Sequence, residues 1–348
     1  MSVRILVVDD SQLARKFISE FLSIDPELEI IGTAKNGQEA IELARNLKPD
    51  LITMDISMPV MDGLLATEHI MAYNPTPILV MSNLLKSELH LSFQAISKGA
   101  VETIEKPDFS AGISSPDAKK LIRTAKLVSN VNVITHLGGK LKKKGIEKSV
   151  ETKYDLIQET SKKSFDLIAI GASTGGPKVL AQILSQLPKN FTSSIIIVQH
   201  ISKGFTPGLV DWLNRECILD VAEAKSGEQI IPGRVFVAPC DNHTLVTNNG
   251  RIRLNKGLPV AGNRPSASVL MSSVAKVYGQ KCIGVVLTGM GEDGALGMLD
   301  IKKAGGRTIA QDEQSSAIFG MPKAAIDNGS VDKILNVNRI GQLLSNHT

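Results

Sequence analysis

Over the first hundred or so residues, strand-length apolar runs alternate with stretches in which apolar residues recur every three or four positions, and this alternation restricts the fold more than any other feature. Runs at 5–8, 29–32, 50–54, 78–81 and 101–104 read as strands, while 13–22 and 38–47 carry the helical spacing. Parallel strands need a crossover between them, so repeated βα units fold as an open parallel sheet with helices on both faces and any site at the carboxyl ends of the strands. The pattern fails between 109 and 164, where Ser, Lys, Gly and Asn dominate and Lys140, Lys142, Lys143 and Lys144 cluster. A linker is expected there, with a short helix near 117–128. Periodicity resumes at Phe165, with strands expected at 166–170, 194–199, 234–238, 244–246, 251–254, 281–287 and 307–310 and helices at 177–187, 267–277 and 295–304. Asn248-Asn249-Gly250 between two of these short runs marks an antiparallel hairpin. The expected architecture is α/β: two doubly wound parallel-sheet domains, 1–108 and 165–348, joined by a linker at 109–164.

Composition agrees with two such units. The 348 residues exceed the roughly 100–200 of one ordinary domain, and 43% hydrophobic with 21% charged residues suffices for packed cores. The longest apolar runs, such as 195–198 and 283–287, are far too short to span a membrane, so no direct membrane insertion is expected. The N-terminal segment has acids within its apolar stretch and no cleavage pattern of a secreted precursor. Three cysteines without any C-x-x-C spacing fit neither a disulfide framework nor a zinc site. A cytoplasmic location is expected. A net charge of +4, partly due to the lysine cluster, does not imply a nucleic-acid partner.

In the first unit, Asp9 and Asp10 follow the first strand, Asp55 the third, Ser82 the fourth and Lys106 the fifth. All fall at one edge of the sheet. Three carboxylates there repel unless a hard cation such as magnesium sits among them, and a carboxylate beside that cation can attack a phosphoryl group. Asp55 is the nucleophile candidate, whereas Asp62, before Gly63 and an apolar helix, reads as a cap. Val-Val-Asp-Asp-Ser (7–11), Met-Asp-Ile-Ser-Met-Pro-Val-Met-Asp-Gly (54–63) and Glu-Lys-Pro (105–107) resemble the receiver domain of two-component response regulators. The resemblance implies a flavodoxin-like fold and phosphorylation of Asp55 by a histidine kinase. It also implies magnesium held by Asp10, Asp55 and the Ser57 carbonyl with Asp9 assisting, and Ser82 and Lys106 on the phosphoryl group. Thr103 stands where many receivers carry an aromatic switch residue.

In the second unit, Gly171, Ser173 and Gly175 satisfy G-x-S-x-G between a strand and a helix, a turn that exposes a nucleophilic serine and offers helix N–H groups to an oxyanion. Glycine-rich turns of this kind also cradle phosphates, although the spacing fits neither dinucleotide nor Walker motifs. A serine nucleophile needs a base and an orienter. His200 and Asp293 follow later strands at the same edge, with His243 a rival base and Glu292 a rival orienter. The order Ser, His, Asp differs from that of α/β-hydrolases.

Gly-Ala-Ser-Thr-Gly-Gly (171–176), Val-Gln-His (198–200), Ala-Pro-x-x-x-His (238–243), Arg-Pro-Ser (264–266), Leu-Thr-Gly-Met-Gly-x-Asp-Gly-Ala (287–295) and Phe-Gly-Met-Pro (319–322) together resemble the catalytic domain of the chemotaxis protein-glutamate methylesterase family. That family joins a receiver, a linker and a Rossmann-like esterase domain in this order. The resemblance implies phosphorylation-activated hydrolysis of glutamate methyl esters on the cytoplasmic domains of chemoreceptors, with deamidation of glutamines, under a chemotaxis histidine kinase. Ser173 would be nucleophile, His200 base and Asp293 orienter, with Thr174 and Met290 shaping the pocket and no cofactor in the esterase domain. Ala267 and Ser268 depart from the family pattern after Arg-Pro-Ser, as does Cys240, where glycine is usual. The rival readings are a DNA-binding response regulator, disfavoured by the lack of a clear helix-turn-helix, and a phospho-regulated binding module without catalysis. Two sheets on a long linker also raise the expectation that the receiver lies over the edge carrying Ser173 and leaves it on phosphorylation.

Overall fold

The computed structural model describes residues 2–83, 86–112, 114–133 and 165–346. The lysine cluster expected to be linker lies outside the described residues. The N-terminal unit runs β1 (Val3–Val8), α1 (Gln12–Leu22), β2 (Leu28–Ala34), α2 (Gly37–Leu47), β3 (Leu51–Asp55), α3 (Gly63–Tyr73), β4 (Ile78–Ser82), α4 (Lys86–Ser97), β5 (Glu102–Glu105) and α5 (Pro116–Ser129). Its five strands pair in parallel in the order β2-β1-β3-β4-β5. Central strands β3 and β4 are buried along their whole length, which is why they read as unbroken apolar runs. Helix ends follow local chemistry: the Ser11, Asn36, Asp62 and Ser115 side chains accept N–H bonds at the starts of α1, α2, α3 and α5. Ala118, Leu121, Ala125 and Val128 of α5, and Val131 beyond it, pack into the same core as β1 and α1. These residues were expected in the linker, but the apolar face of α5 is spent on the receiver sheet.

The C-terminal unit runs β6 (Leu167–Ala172), α6 (Gly176–Leu184), β7 (Ser194–Gln199), α7 (Thr206–Glu216), β8 (Asp220–Glu223), β9 (Arg234–Val237), β10 (His243–Val246), β11 (Ile252–Asn255), α8 (Ala267–Tyr278), β12 (Cys282–Val286), α9 (Ala295–Lys303), β13 (Arg307–Gln311), α10 (Met321–Asp327), β14 (Lys333–Leu335) and α11 (Val337–Ser345). Seven strands form a parallel sheet in the order β14-β13-β12-β6-β7-β9-β8, and β10 pairs with β11 as the antiparallel hairpin. Both sheets change winding direction beside their first strand, between β1 and β3 and between β6 and β12, and crevices open at such points. Among the described residues, no helix is long and apolar enough to cross a membrane.

The two units share apolar packing. Leu89, Phe93 and Ile96 of α4 belong to one buried cluster with Phe205 and with Leu209 and Trp212 of α7. The Phe93 ring stacks on Trp212 with centroids 5.8 Å apart and meets Phe205 edge-on at 6.4 Å. Gly208 permits this approach, since a Cβ there would lie 3.1 Å from both Leu89 Cβ and Phe93 Cε2.

Candidate active site and receiver centre

The first switch point gathers the acids. Asp9, fully buried, and Asp55, 3% exposed, lie beside the exposed Asp10, with ligand oxygens of all three within 4.8 Å of one another. Lys106 Nζ bridges Asp9 at 2.8 Å and Asp55 at 2.9 Å. Burial pushes the Asp55 carboxyl up to about 6 against the pull of Lys106, with Asp9 adding to the rise. An all-oxygen set of this kind suits a hard divalent cation and not a soft one. Ser57 is exposed two residues beyond Asp55 in the loop leading to α3, and Asp62 accepts the Leu65 N–H as the cap of that helix. Ser82 is fully buried at the end of β4, where its hydroxyl oxygen accepts from Ser92 of α4 at 2.8 Å.

The second switch point holds Ser173. Its N–H donates to the Thr288 carbonyl at 3.0 Å, across from β6 to the end of β12. Its carbonyl accepts from Gly176 N–H at 2.8 Å and from Gln199 Nε2 at 2.8 Å, which fixes the turn into α6. Gly175 has φ +76°, and a Cβ there would lie 2.6 Å from that of Ala317, so only glycine fits. Thr288 Oγ1 donates to the Thr174 carbonyl at 2.9 Å, while Thr288 N–H donates to Gln311 Oε1 at 2.8 Å.

His200 follows β7, its Nε2 2.8 Å from Asp293 Oδ2. Donation to a carboxylate places the proton on Nε2 and leaves the Nδ1 lone pair as the basic atom. Asp293, 1% exposed, accepts five bonds: from His200, Ser266 Oγ (2.7 Å) and the N–H groups of Ala267 (2.7 Å), Ser268 (3.0 Å) and Gly294 (2.9 Å). Burial works against its charge, yet the bond and charge of His200, with Ser266 and Ser268, hold the carboxyl down at about 2. Three of these donors come from the start of α8, whose positive end also favours an anion. Among the described residues no hydrogen bond joins Ser173 Oγ to the imidazole, a bond that often closes only with substrate in place.

The rivals resolve by geometry. His243 is buried with both ring nitrogens engaged, Nδ1 accepting the Ser266 N–H at 3.2 Å and Nε2 donating to the Leu258 carbonyl at 2.9 Å, which leaves no lone pair for a base. Glu292 is exposed, beside the buried Asp293. Thr174 is 9% exposed next to Ser173, and the half-buried Met290 accepts at Sδ from Arg123 of α5 at 3.3 Å. Gln199, Ser266 and Thr288 lie inside the quoted motifs without having been singled out, and no motif pointed to Gln311.

Two family models match the chain: CheB methylesterase over residues 168–344 and response regulator receiver domain over residues 5–113. The chain belongs to the CheB methylesterase family. A protein-glutamate methylesterase/protein-glutamine glutaminase of Syntrophus aciditrophicus is 41% identical over 343 residues, 98% of this chain and 97% of that protein. One of Sulfurimonas denitrificans is 42% identical over 346 residues, 98% and 97% of the two chains. The crystal structure of the Thermotoga maritima CheB methylesterase catalytic domain, 39% identical, superposes with a TM-score of 0.52 and covers 53% of this chain and 100% of its own.

In this methylesterase the receiver faces the strand-end edge of the second sheet. Lys120 Nζ of α5 donates to Ser202 Oγ at 2.8 Å, two residues from His200. Ala317 and Ile318, which flank the Ser173 turn, pack against the receiver core.

Proposed function

We propose that this chain is a phosphorylation-activated serine hydrolase of glutamate methyl esters on the cytoplasmic domains of chemoreceptors, and of glutamine side-chain amides at the same positions. The observation that carries this reading is the buried, five-fold hydrogen-bonded Asp293 fixing the His200 tautomer beside Ser173. Ser173 Oγ attacks the side-chain carbonyl and passes its proton to His200 Nδ1. N–H groups at the start of α6 face the developing oxyanion. The imidazolium, paired with Asp293, returns the proton to the leaving methanol or ammonia. Water then attacks the acyl-enzyme with His200 again as base, releasing a glutamate side chain. Thr174 and Met290 wall the pocket, and the esterase unit works without a cofactor.

Asp55 is the proposed phosphorylation site, fed by a chemotaxis histidine kinase. Asp9, Asp10, Asp55 and the Ser57 carbonyl would hold magnesium, which offsets charge on the incoming phosphoryl oxygens. Ser82 and Lys106 then receive the phosphoryl group. The proposed division is a receiver extending through α5 to about residue 131, a linker, and an esterase from 165 onward, all in the cytoplasm. A DNA-binding output or a catalytically silent pocket finds no support in the seven-stranded sheet or in the fixed imidazole tautomer.

The test is methanol release from methylated receptor, with and without a small acyl phosphate. Release should rise with the phosphodonor and vanish in Ser173→Ala, with His200→Ala almost as severe. Near wild-type release by purified, folded Ser173→Ala would overturn the assignment.

A further inference from the structure

The esterase unit carries a second concavity that the triad does not use. It is an open groove of about 830 Å³ across the solvent side of α8, between the β10–β11 hairpin and α9. Ser268 and Ser272 of α8 line its floor, and its apolar rim includes Leu296, 67% exposed, and Val260, 37% exposed. One end lies against the triad: the Ser268 N–H holds Asp293 at 3.0 Å, and Leu296 stands three residues past that aspartate. Lys276, Lys303 and Arg253 also line the groove and form no ion pair among the described residues. Its one acid, Asp300, accepts the Ser272 hydroxyl at 2.5 Å. Lys276 and Lys303 lie in the last turns of α8 and α9, where a cation suits the helix dipole. Arg253 ends no helix; it stands opposite Leu245 in the hairpin register, and both residues line the groove. Every lining residue belongs to the esterase unit, and the groove is open with the receiver in contact.

We propose that this groove docks an acidic, amphipathic segment of the receptor next to the segment being hydrolysed. The inference rests on the methylesterase reading above and adds the surface that holds its protein substrate. The charge is complementary: the proposed reaction acts at glutamyl positions and leaves a carboxylate at each, so the protein it works on is acidic around the reacting side chain. The three cations steer and orient those carboxylates, while Leu296, Val260 and Leu245 take the apolar residues of the segment. Because the receiver contributes nothing to the groove, the receptor can be held there before phosphorylation uncovers Ser173.

The test compares two substrates on the full-length chain supplied with a small acyl phosphate: methylated receptor, and the γ-methyl ester of an N-acetylglutamate amide, a small ester with no flanking segment to dock. Lys276→Glu combined with Lys303→Glu should lower the ratio of receptor to small-ester kcat/KM about tenfold, mainly through KM for the receptor. Lys276→Arg with Lys303→Arg, which keeps the charge, should hold the ratio near wild type. Receptor KM should rise with ionic strength in the wild type and rise less in the charge-reversed chain. An unchanged ratio, including a loss shared equally by both substrates, would overturn the proposal, as would an equal fall in the Arg pair. Binding is read separately, by fluorescence anisotropy of a labelled receptor cytoplasmic fragment with Ser173→Ala, which needs no turnover. Affinity should drop about tenfold on charge reversal, with or without the phosphodonor; equal affinity would also overturn the groove. If the wild type released no methanol from either substrate, the methylesterase reading would fall, and the anisotropy would still decide the docking site.

Discussion

Asp293 shows how much of the proposed triad depends on the residues packed around it. Ser266 Oγ gives this buried carboxylate one of its shortest bonds, 2.7 Å, and the Ser266 N–H meanwhile fixes the tautomer of His243. A hydrogen bond to a charged group contributes about 1.5–3 kcal/mol, so Ser266→Ala should lower kcat by roughly tenfold or more with little change in KM, because the loss falls on stabilising the imidazolium. Steady-state kinetics on the small ester checks this. The depressed carboxyl also sets an acid limit. Its folded value, about 2, lies below the ordinary 3.8, so its stabilisation is complete above the ordinary value and is lost as pH falls toward 2. Ser266→Ala should move the acid-induced loss of circular dichroism to higher pH. In the receiver, Asp55→Asn cannot form an acyl phosphate; intact-mass measurement should show no phosphoryl adduct, and the donor-dependent rise in methanol release should disappear while the basal rate stays. The strand-end positions of Ser173, His200, Asp293 and Asp55 were legible in the sequence because motifs mark them. Gln199, Gln311 and Thr288 were harder to see, since they act by holding backbone groups that local pattern does not reveal.

At the scale of elements, α4 links the two chemistries. Ser92 on this helix holds the Ser82 hydroxyl, and its neighbour Phe93, with Ile96 a turn further along, packs with the esterase cluster. If Ser82 turns to a phosphoryl group on Asp55, it must leave Ser92, which provides a route for the signal that does not need an aromatic residue at the buried Thr103. Ser92→Ala should raise donor-free receptor demethylation by roughly 2- to 10-fold, the worth of one buried neutral bond, and leave the phosphorylated maximum unchanged. An unaltered donor-free rate would exclude this route. The sheets themselves were readable, because buried parallel strands are unbroken apolar runs. Strands β8 and β14 were not: they are four and three residues long, lie at the sheet edges and are largely unburied. Helix α7 was hidden by Pro207 and Gly208 in its first turn, where proline suits the start of a helix and glycine answers to α4 instead of to helix propensity.

Across the whole molecule, the contact between units was expected from the long linker, but its residues were not, because no periodicity within one unit encodes a partner surface. Truncating a packed phenylalanine costs about 3–5 kcal/mol, and at Phe93 that loss falls largely on the docked arrangement. Phe93→Ala should therefore bring donor-free receptor demethylation close to the phosphorylated rate, with a smaller gain for a small ester; equal gains on both substrates would argue against steric occlusion of a bulky receptor. The cluster that runs without a break from Phe93 into Trp212, Leu209 and the esterase sheet has a calorimetric meaning as well. Units that share a core melt together, because neither can expose its half without stripping the other. The resting chain should give a single endotherm in differential scanning calorimetry, whereas phosphorylation or Phe93→Ala should split it in two. The number of heat-absorption peaks would then report whether the molecule is closed, with no substrate present.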